Sequence, residues 1–320
     1  MVHMTSNPQY DVIIIGGGAA GLSGAVTLAR ARRRVLVVDA GRPRNATAAH
    51  AHNYLGLEGI PPLELLKKGR AEATSYGAEI RNGTVSSTSG SIGDFIVTLD
   101  DGTDLTARRL LVTTGLTDEL PDIPGLAERW GREVLHCPFC HGWEVREDTV
   151  GIIGSPIGVH QALMWRQWSD TIVLFTQNYE PTADEYEKLA ARGIGVVTEK
   201  IEEVIVENGV LAGVRLISGK AIPVQAVVTR PNFAANTEVL KCLDLDVTDV
   251  AMGEVKMGTA LAIDPMGATS TEGVYAAGNV AIVTENVIGS AAAGVRTAGA
   301  VNASLTEEDV RLAVEARAQV

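Results

Sequence analysis

The residues with the clearest chemical potential are two cysteines three positions apart, in His136-Cys137-Pro138-Phe139-Cys140-His141-Gly142-Trp143. A CxxC pair can close a small disulfide and reopen it. A helix following the pair would lower a thiolate's pKa through its N-terminal dipole, and His141 or His136 could add charge or act as a base. Pro138 removes one N–H and stiffens the loop, which can shift the pair's reducibility in either direction. A structural zinc site would want a second close pair of ligands. The third cysteine, Cys242, is far along the chain with no paired partner. Zinc binding and an inert buried pair stand as alternatives to redox chemistry, and Cys242 reads as a buried structural thiol. His50-Ala51-His52-Asn53 could bind a metal but has no acidic or histidine partner nearby in sequence, so no metal site is expected. It reads as a pocket lining, with a solvated loop as the alternative.

A second chemical signal is Gly16-Gly17-Gly18-Ala19-Ala20-Gly21, which fits G-x-G-x-x-G. It follows the apolar run Asp11–Ile15, opens a helical pattern, and is followed by Asp39. Gly16 permits a tight turn, Gly18 lets backbone approach a pyrophosphate, and Gly21 lets helix and strand pack closely. The anion would sit on the helix N-terminus, and Asp39 could accept hydrogen bonds from a ribose. A second such loop is damaged. Gly154-Ser155-Pro156-Ile157-Gly158-Val159 has proline where close backbone approach is needed and valine at the small third position. Proline also lacks an N–H.

The elements that must position these residues follow from hydrophobic periodicity. Strand 11–15, helix 20–31 and strand 35–38 make one β-α-β unit. A helix is expected from Pro62 to Tyr76. Strands are expected at 80–85, 94–99 and 105–107, with a separate buried strand from Leu110 to Gly115. Pro121 and Pro124-Gly125 read as a linker. A second β-α-β unit starts at Val150, with its helix at 159–168 and its strand at 171–176. Strand-like runs continue at 196–197, 203–206 and 211–216, and Pro231-Asn232-Phe233 reads as a second crossing. Met164–Trp168 reads as core plus surface on the insertion helix, and 306–308 with 311–317 as a terminal solvated helix. The resulting expectation is an α/β protein of two Rossmann-like nucleotide-binding domains, the second inserted in the first. Residues 1–118 with 247–320 form the first, and 119–246 form the second, which carries the CxxC.

Composition agrees. The chain has 320 residues, with 46% hydrophobic and 21% charged residues, an ordinary balance for a globular protein of about two domains. Its formal net charge of −12 argues against sequence-independent nucleic-acid binding and against an anionic membrane surface. No apolar run reaches the ~18 residues of a membrane span. Met1–Tyr10 has no apolar signal core, and Met1-Val2-His3 reads as a remnant of expression. Three cysteines are too few for a secreted disulfide framework, so a cytoplasmic protein is expected.

Taken together, FAD-type loop, Thr113-Thr114-Gly115 strand end, CxxC insertion and Thr269–Asn279 resemble the low-molecular-weight thioredoxin reductase family over essentially the whole chain. The C-terminal stretch is similar to the second FAD motif, T-x-x-x-G-V-[YF]-A-x-G-D, with Asn279 in place of the acid that holds a ribityl hydroxyl. The resemblance implies FAD as cofactor. It implies FAD contacts at Gly16, Gly18, Ala19 and Gly21, at Asp39 and Ala40, at Arg44, His52 and Asn53, at Gly115, and at Gly278, Asn279 and Val287. It also implies that Cys140 faces the flavin and Cys137 the substrate, and that the protein is a homodimer. An acid commonly follows the pair in this family; here His141 does. The CPFCHGWE stretch resembles the gliotoxin and holomycin type of dithiol oxidase, which closes disulfides in small natural products. The family's basic cluster for NADPH is absent, with Gln177-Asn178-Tyr179-Glu180 in its place, so nicotinamide binding is expected to be lost.

The expected activity is FAD-dependent oxidation of a small-molecule dithiol to an intramolecular disulfide, with O2 as acceptor giving H2O2. Cys137 and Cys140 would carry it, with His141 as base and His136 second. The small pocket would be lined by His50, His52 and Trp143. The alternatives are a thioredoxin-type disulfide reductase fed by NADPH or ferredoxin, and a flavoprotein that senses through the CxxC without turnover.

Overall fold

The computed structural model describes residues 9–319. Met1-Val2-His3 and most of the polar N-terminus lie outside the described residues. The chain opens on β1 (Tyr10–Ile15), α1 (Ala19–Arg30) and β2 (Val35–Asp39), as the alternating and then helical apolar pattern requires. The helix α2 (Pro62–Ser75) leads to β3 (Glu79–Asn82), and a meander follows through β4 (Val85–Ser91), β5 (Asp94–Leu99) and β6 (Asp104–Val112). These strands lie in the order β3-β2-β1-β6-β5-β4. Both faces of the sheet are covered. Ile13, Ile15, Leu36 and Val38 pack into one core layer, Val12, Ile14, Val35 and Val37 into the other. Near-continuous apolar strands are the signature of a sheet buried on both sides.

Two strands were expected where β6 runs unbroken. The gap between the two expected strands is the charged pair Arg108-Arg109, and both side chains are neutralised by the C-terminal helix. Arg109, 2% exposed, donates to Glu308 Oε2 at 2.9 Å and to Ser304 Oγ at 3.0 Å. Arg108 reaches Glu308 and Asp309. A buried charge is tolerated when paired, and removing Glu308 should cost about 3 kcal/mol. Glu308 is thus part of the frame and does not belong to a solvated terminal helix; the exposed stretch begins at Asp309.

After β6, β7 (Leu116–Glu119) carries the chain out to β8 (Val134–Leu135) and the one-turn helix α3 (Pro138–His141). The second β-α-β unit is β9 (Thr149–Ile153), α4 (Gly158–Trp165) and β10 (Thr171–Phe175). Trp165 of α4 is fully buried, as core. Next come α5 (Ala183–Ala191), β11 (Gly195–Val197), the antiparallel β12 (Ile201–Glu207), β13 (Val210–Leu216) and β14 (Ala221–Pro223), and β15 (Ala226–Val228). The strand order β11-β10-β9-β15-β8 makes this a parallel sheet of its own. The return strand β16 (Asn232–Ala235) pairs antiparallel with β7, Asn232 opposite Glu119. Outgoing and returning chain therefore lie side by side, on a small sheet completed by β17 (Val247–Met252) and β18 (Val255–Leu261). Finally β19 (Val274–Ala276) rejoins the first sheet. It pairs parallel with Leu110–Val112, the upper half of β6, while β5 pairs with the lower half. The 32-residue helix α6 (Val287–Ala318) packs on α1 and ends the fold. Among the described residues no helix is long and apolar enough to cross a membrane.

Candidate functional site

Two of the three signature glycines of the first loop are demanded by the protein itself. Gly16 has φ +108°, and a Cβ there would collide with the Thr113 carbonyl. A Cβ at Gly21 would collide with the Gly16 carbonyl. Gly18 is different: an added Cβ would meet nothing within 4 Å. Its requirement for glycine comes from whatever occupies the space in front of it. That space faces the N-terminus of α1, whose N-cap is Gly18 and whose first turn has no side-chain cap. Free N–H groups facing an open cradle suit a pyrophosphate. Ala19 begins the helix. Asp39 ends β2 directly behind the loop and pairs with Arg70 of α2. Ala40, exposed, follows it, and Gly115 follows β6 with open space around it. The residues present therefore fit a bound dinucleotide.

The second motif is reached through Arg44. Its guanidinium donates to both carboxylate oxygens of Asp118 on β7, at 2.7 and 2.6 Å, and to Asn279 Oδ1 at 3.3 Å. It also lies over the Phe233 ring of β16 at 5.3 Å. Phe233 in turn meets the His136 ring edge-on at 5.3 Å. One arginine thus ties the glycine-rich C-terminal block to both crossing strands and to the residue before Cys137. Asn279 also donates through Nδ2 to the carbonyls of Ile282, Val283 and Glu285, the turn that leads into Val287 and α6. A carboxylate could not donate these bonds, which gives the departure from an acid at this position a local reason.

Cys137 and Cys140 are both free, partly buried thiols. Cys137 is the N-cap of α3 and Pro138 its first residue. The Cys137 pKa is lowered to about 7, first by a hydrogen bond from the Cys140 thiol and then by the N–H groups of Cys140 and Phe139, against the opposing effect of burial. Arg44 adds to the lowering. Cys140 is pushed up, by that same bond to Cys137 and by burial. When the pair is reduced, the thiolate sits on Cys137.

The two histidines flanking the pair are held neutral by burial. For His141 the pull of Glu144 opposes the effect without overcoming it. Both ring nitrogens of His141 are buried without a hydrogen-bond partner. A neutral imidazole with a free lone pair can take a proton from an arriving thiol. For His136 burial again dominates, and its Nδ1 lies 3.3 Å from the Thr229 carbonyl. Of the two, His141 is the one whose ring nitrogens have no hydrogen-bond partner.

His52 Nδ1 lies 2.7 Å from Glu58 and its Nε2 3.3 Å from Glu144. Asn53 donates through Nδ2 to the Phe139 carbonyl at 2.7 Å. The loop thus touches the cysteine segment directly. His50 is exposed, with its ring 6.1 Å from that of His52. Among the described residues no three His, Cys, Asp or Glu side chains are placed to hold a metal. Two expectations are corrected. Trp143 is 67% exposed and stacks under Arg146 at 4.4 Å, so it does not line an enclosed pocket. Cys242 is exposed: it lies on a 3-10 turn, Glu238–Leu243, whose buried residues are Leu240 and Leu243.

The second glycine loop has its own logic. A Cβ at Gly154 would collide with the Thr176 carbonyl, so this glycine serves the turn. Pro156 faces solvent without an N–H, and Ile157 and Val159 pack into the core. Beyond β10, Tyr179 donates to Glu185 at 2.8 Å and Tyr186 to Glu180 at 3.0 Å. The segment after β10 thus carries carboxylates held by tyrosines.

Asp118, Glu58, Arg70 and Thr229 join the site with no signal in the sequence; Phe233 was read only as part of the second crossing, and Glu144 only as the last residue of CPFCHGWE.

The family described as pyridine nucleotide-disulphide oxidoreductase matches residues 10–316. The chain is 29% identical over 313 residues to thioredoxin reductase sirT of Leptosphaeria maculans, covering 92% of this chain and 93% of that one. The crystal structure of HlmI superposes with a TM-score of 0.89 at 42% identity, covering 97% of this chain and 96% of that one. An oxidoreductase from Agrobacterium tumefaciens superposes with a TM-score of 0.86 at 38% identity, covering 93% and 98%.

Proposed function

The chain belongs to the pyridine nucleotide-disulphide oxidoreductase family as a thioredoxin reductase-like FAD flavoprotein, and on that premise we propose that it oxidises small-molecule dithiols to intramolecular disulfides. The observation that carries this is the second loop. With Pro156 and Val159 in the phosphate-binding positions and Glu180 and Glu185 beyond β10, electrons have no good entry through a nicotinamide. They enter instead through the cysteine pair.

In this reading a substrate thiol loses its proton to His141 and attacks Cys137 of the oxidised pair. The Cys137–Cys140 bond breaks, Cys140 leaves as thiolate, and a mixed disulfide joins the substrate to Cys137. The second substrate thiolate then attacks the substrate sulfur of that bond, closing the product disulfide and releasing Cys137. A thiol with a low pKa leaves faster, so the acidity of Cys137 favours this step. The substrate has lost two electrons and two protons, and the reduced pair holds the electrons. FAD supplies the acceptor that takes them on to O2, which becomes H2O2. Gly16, Gly18, Ala19 and Gly21 would hold its pyrophosphate, and Asp39, Ala40, Arg44, His52, Asn53, Gly115, Gly278, Asn279 and Val287 would hold the remainder. The substrate-facing and flavin-facing roles of Cys137 and Cys140 are carried over from the family. The enzyme acts in the cytoplasm as a homodimer.

The alternative, a thioredoxin-type reductase fed by NADPH or ferredoxin, is favoured by the description of sirT as a thioredoxin reductase. Oxygen uptake separates the two. A reduced dithiolopyrrolone-like dithiol should drive uptake faster than reduced thioredoxin. A thioredoxin rate that equals or exceeds it defeats the proposal.

A further inference from the structure

The helix α6 turns one side inward. Gly294, Ala298, Val301 and Leu305 are buried, and a Cβ on Gly294 would strike the Ala20 carbonyl of α1. The outer side of a surface helix is ordinarily charged. Here it is apolar. Ile288, Ala292, Val295, Gly299, Ala303 and Val310 are all exposed and fall on one stripe, at the three- and four-residue spacing of a single helix face. Val295, Val310 and Val314 are each about half exposed or more. From Val287 to Thr306 the only charged residue is Arg296.

Two further features have no reason within one chain. Gly299 lies in mid-helix, where glycine weakens the helix, and a Cβ there would meet nothing within 4 Å. The end of the helix, Val310–Ala318, is exposed at every residue, although a helix end without packing is marginal in water.

The stripe is its own complement, as an isologous interface requires. Turned end for end about a two-fold axis at the level of Val301, it sets Ile288 against Val314, Ala292 against Val310 and Gly299 against Ala303. Apolar residues then meet at every level, and the smallest meet nearest the axis, where the two backbones approach. Charge follows the same symmetry. Arg296 and Glu307 are exposed and eleven residues apart, close to three full turns, so they lie on the same edge of the stripe. Antiparallel pairing lays like edges together and brings each Arg296 beside the partner's Glu307.

We propose that the outer face of α6 is the interface between two copies of this chain, with the two helices antiparallel. This gives a surface to the homodimer named above and rests on that reading. It also places the start of α6, with Val287, under the C-terminal turns of the partner, so that each helix end is covered by the other chain.

The test is sedimentation velocity on the FAD-bound full chain, with circular dichroism and flavin content as checks on folding. The parent should be a dimer at micromolar concentration. Gly299→Leu has room in its own chain and favours helix, but sets two leucines against each other near the axis; it should weaken the dimer by at least about thirtyfold. Val295→Glu, which puts a charge into the apolar face, should do the same. Arg296→Glu should weaken it about tenfold, and adding Glu307→Arg should bring it back to within about threefold of the parent. The exchange is the informative form, because Arg296 also lies within electrostatic reach of Glu285 in its own chain. A monomeric parent overturns the homodimer and this surface together. A parent dimer that Gly299→Leu and Val295→Glu both leave intact overturns the surface alone. Failure of dithiol oxidation would appear separately, as absent oxygen uptake by a protein whose dimer responds to the substitutions as stated.

Discussion

The two glycine loops share a β-α-β frame and differ in what their glycines are for. In the first, Gly16 and Gly21 serve the packing of turn and helix, while Gly18 is left facing open space beside an uncapped helix end. In the second, Gly154 serves the turn, but the position of approach is Pro156 and the helix entry is filled by buried Ile157 and Val159. A fold can therefore keep the glycine that its backbone needs and lose the one that only a ligand needs. On the proposed function, that asymmetry separates a working cradle from a retained scaffold, and it can be attacked from either side.

The largest effect is expected at Gly18. Gly18→Val has room in the protein and collides only with a bound pyrophosphate. The purified variant should be folded by circular dichroism and colourless, whereas the parent should be yellow. A yellow Gly18→Val protein would mean that the cradle lies elsewhere. Gly21→Val, by contrast, should damage the fold itself, because its Cβ strikes backbone.

Next come the residues to which the first loop delivers its cofactor. Cys137→Ser and Cys140→Ser should each lose turnover and keep FAD. With Cys140 as the proposed flavin-facing sulfur, Cys137→Ser removes the bond that pushes the Cys140 thiol up and should show a long-wavelength absorbance band, while Cys140→Ser should show none. The reverse pattern would exchange the two roles. His141→Ala should lower the small-dithiol rate by about 10²-fold with FAD retained, the usual scale for a lost general base. An unchanged rate would move the base to His136 or water.

The smallest effect is expected where the second loop is repaired. Pro156→Gly restores one backbone N–H but leaves Val159 in the core and Glu180 and Glu185 beyond β10. Its NADPH-driven flavin reduction, followed by absorbance, should stay as slow as in the parent. A large gain would show that the proline alone closes the site.

Much of this comparison was legible in the sequence because it rests on local chemistry. The glycine spacing, the apolar strands and the CxxC all act within a few residues of where they are written, and the element order follows from them. What was not legible depends on long-range pairing. Arg108-Arg109 lie inside one strand because Glu308, about 200 positions on, stands beside them. Arg44, Asp118, Asn279 and Phe233 come from four separated stretches. The bond from Asn53 to Phe139 is visible only once the loop and α3 are side by side. The exposure of Cys242 and Trp143 was missed for a different reason. A short 3-10 turn and a loop carry no periodicity from which the buried face can be read.

The central claim is that electrons enter through the cysteine pair and not through the second loop. Anaerobic flavin bleaching, with stoichiometric small dithiol in one cell and NADPH in the other, tests it most directly. The dithiol should bleach the flavin rapidly and NADPH should leave it oxidised; rapid bleaching by NADPH with none by the dithiol would contradict the account.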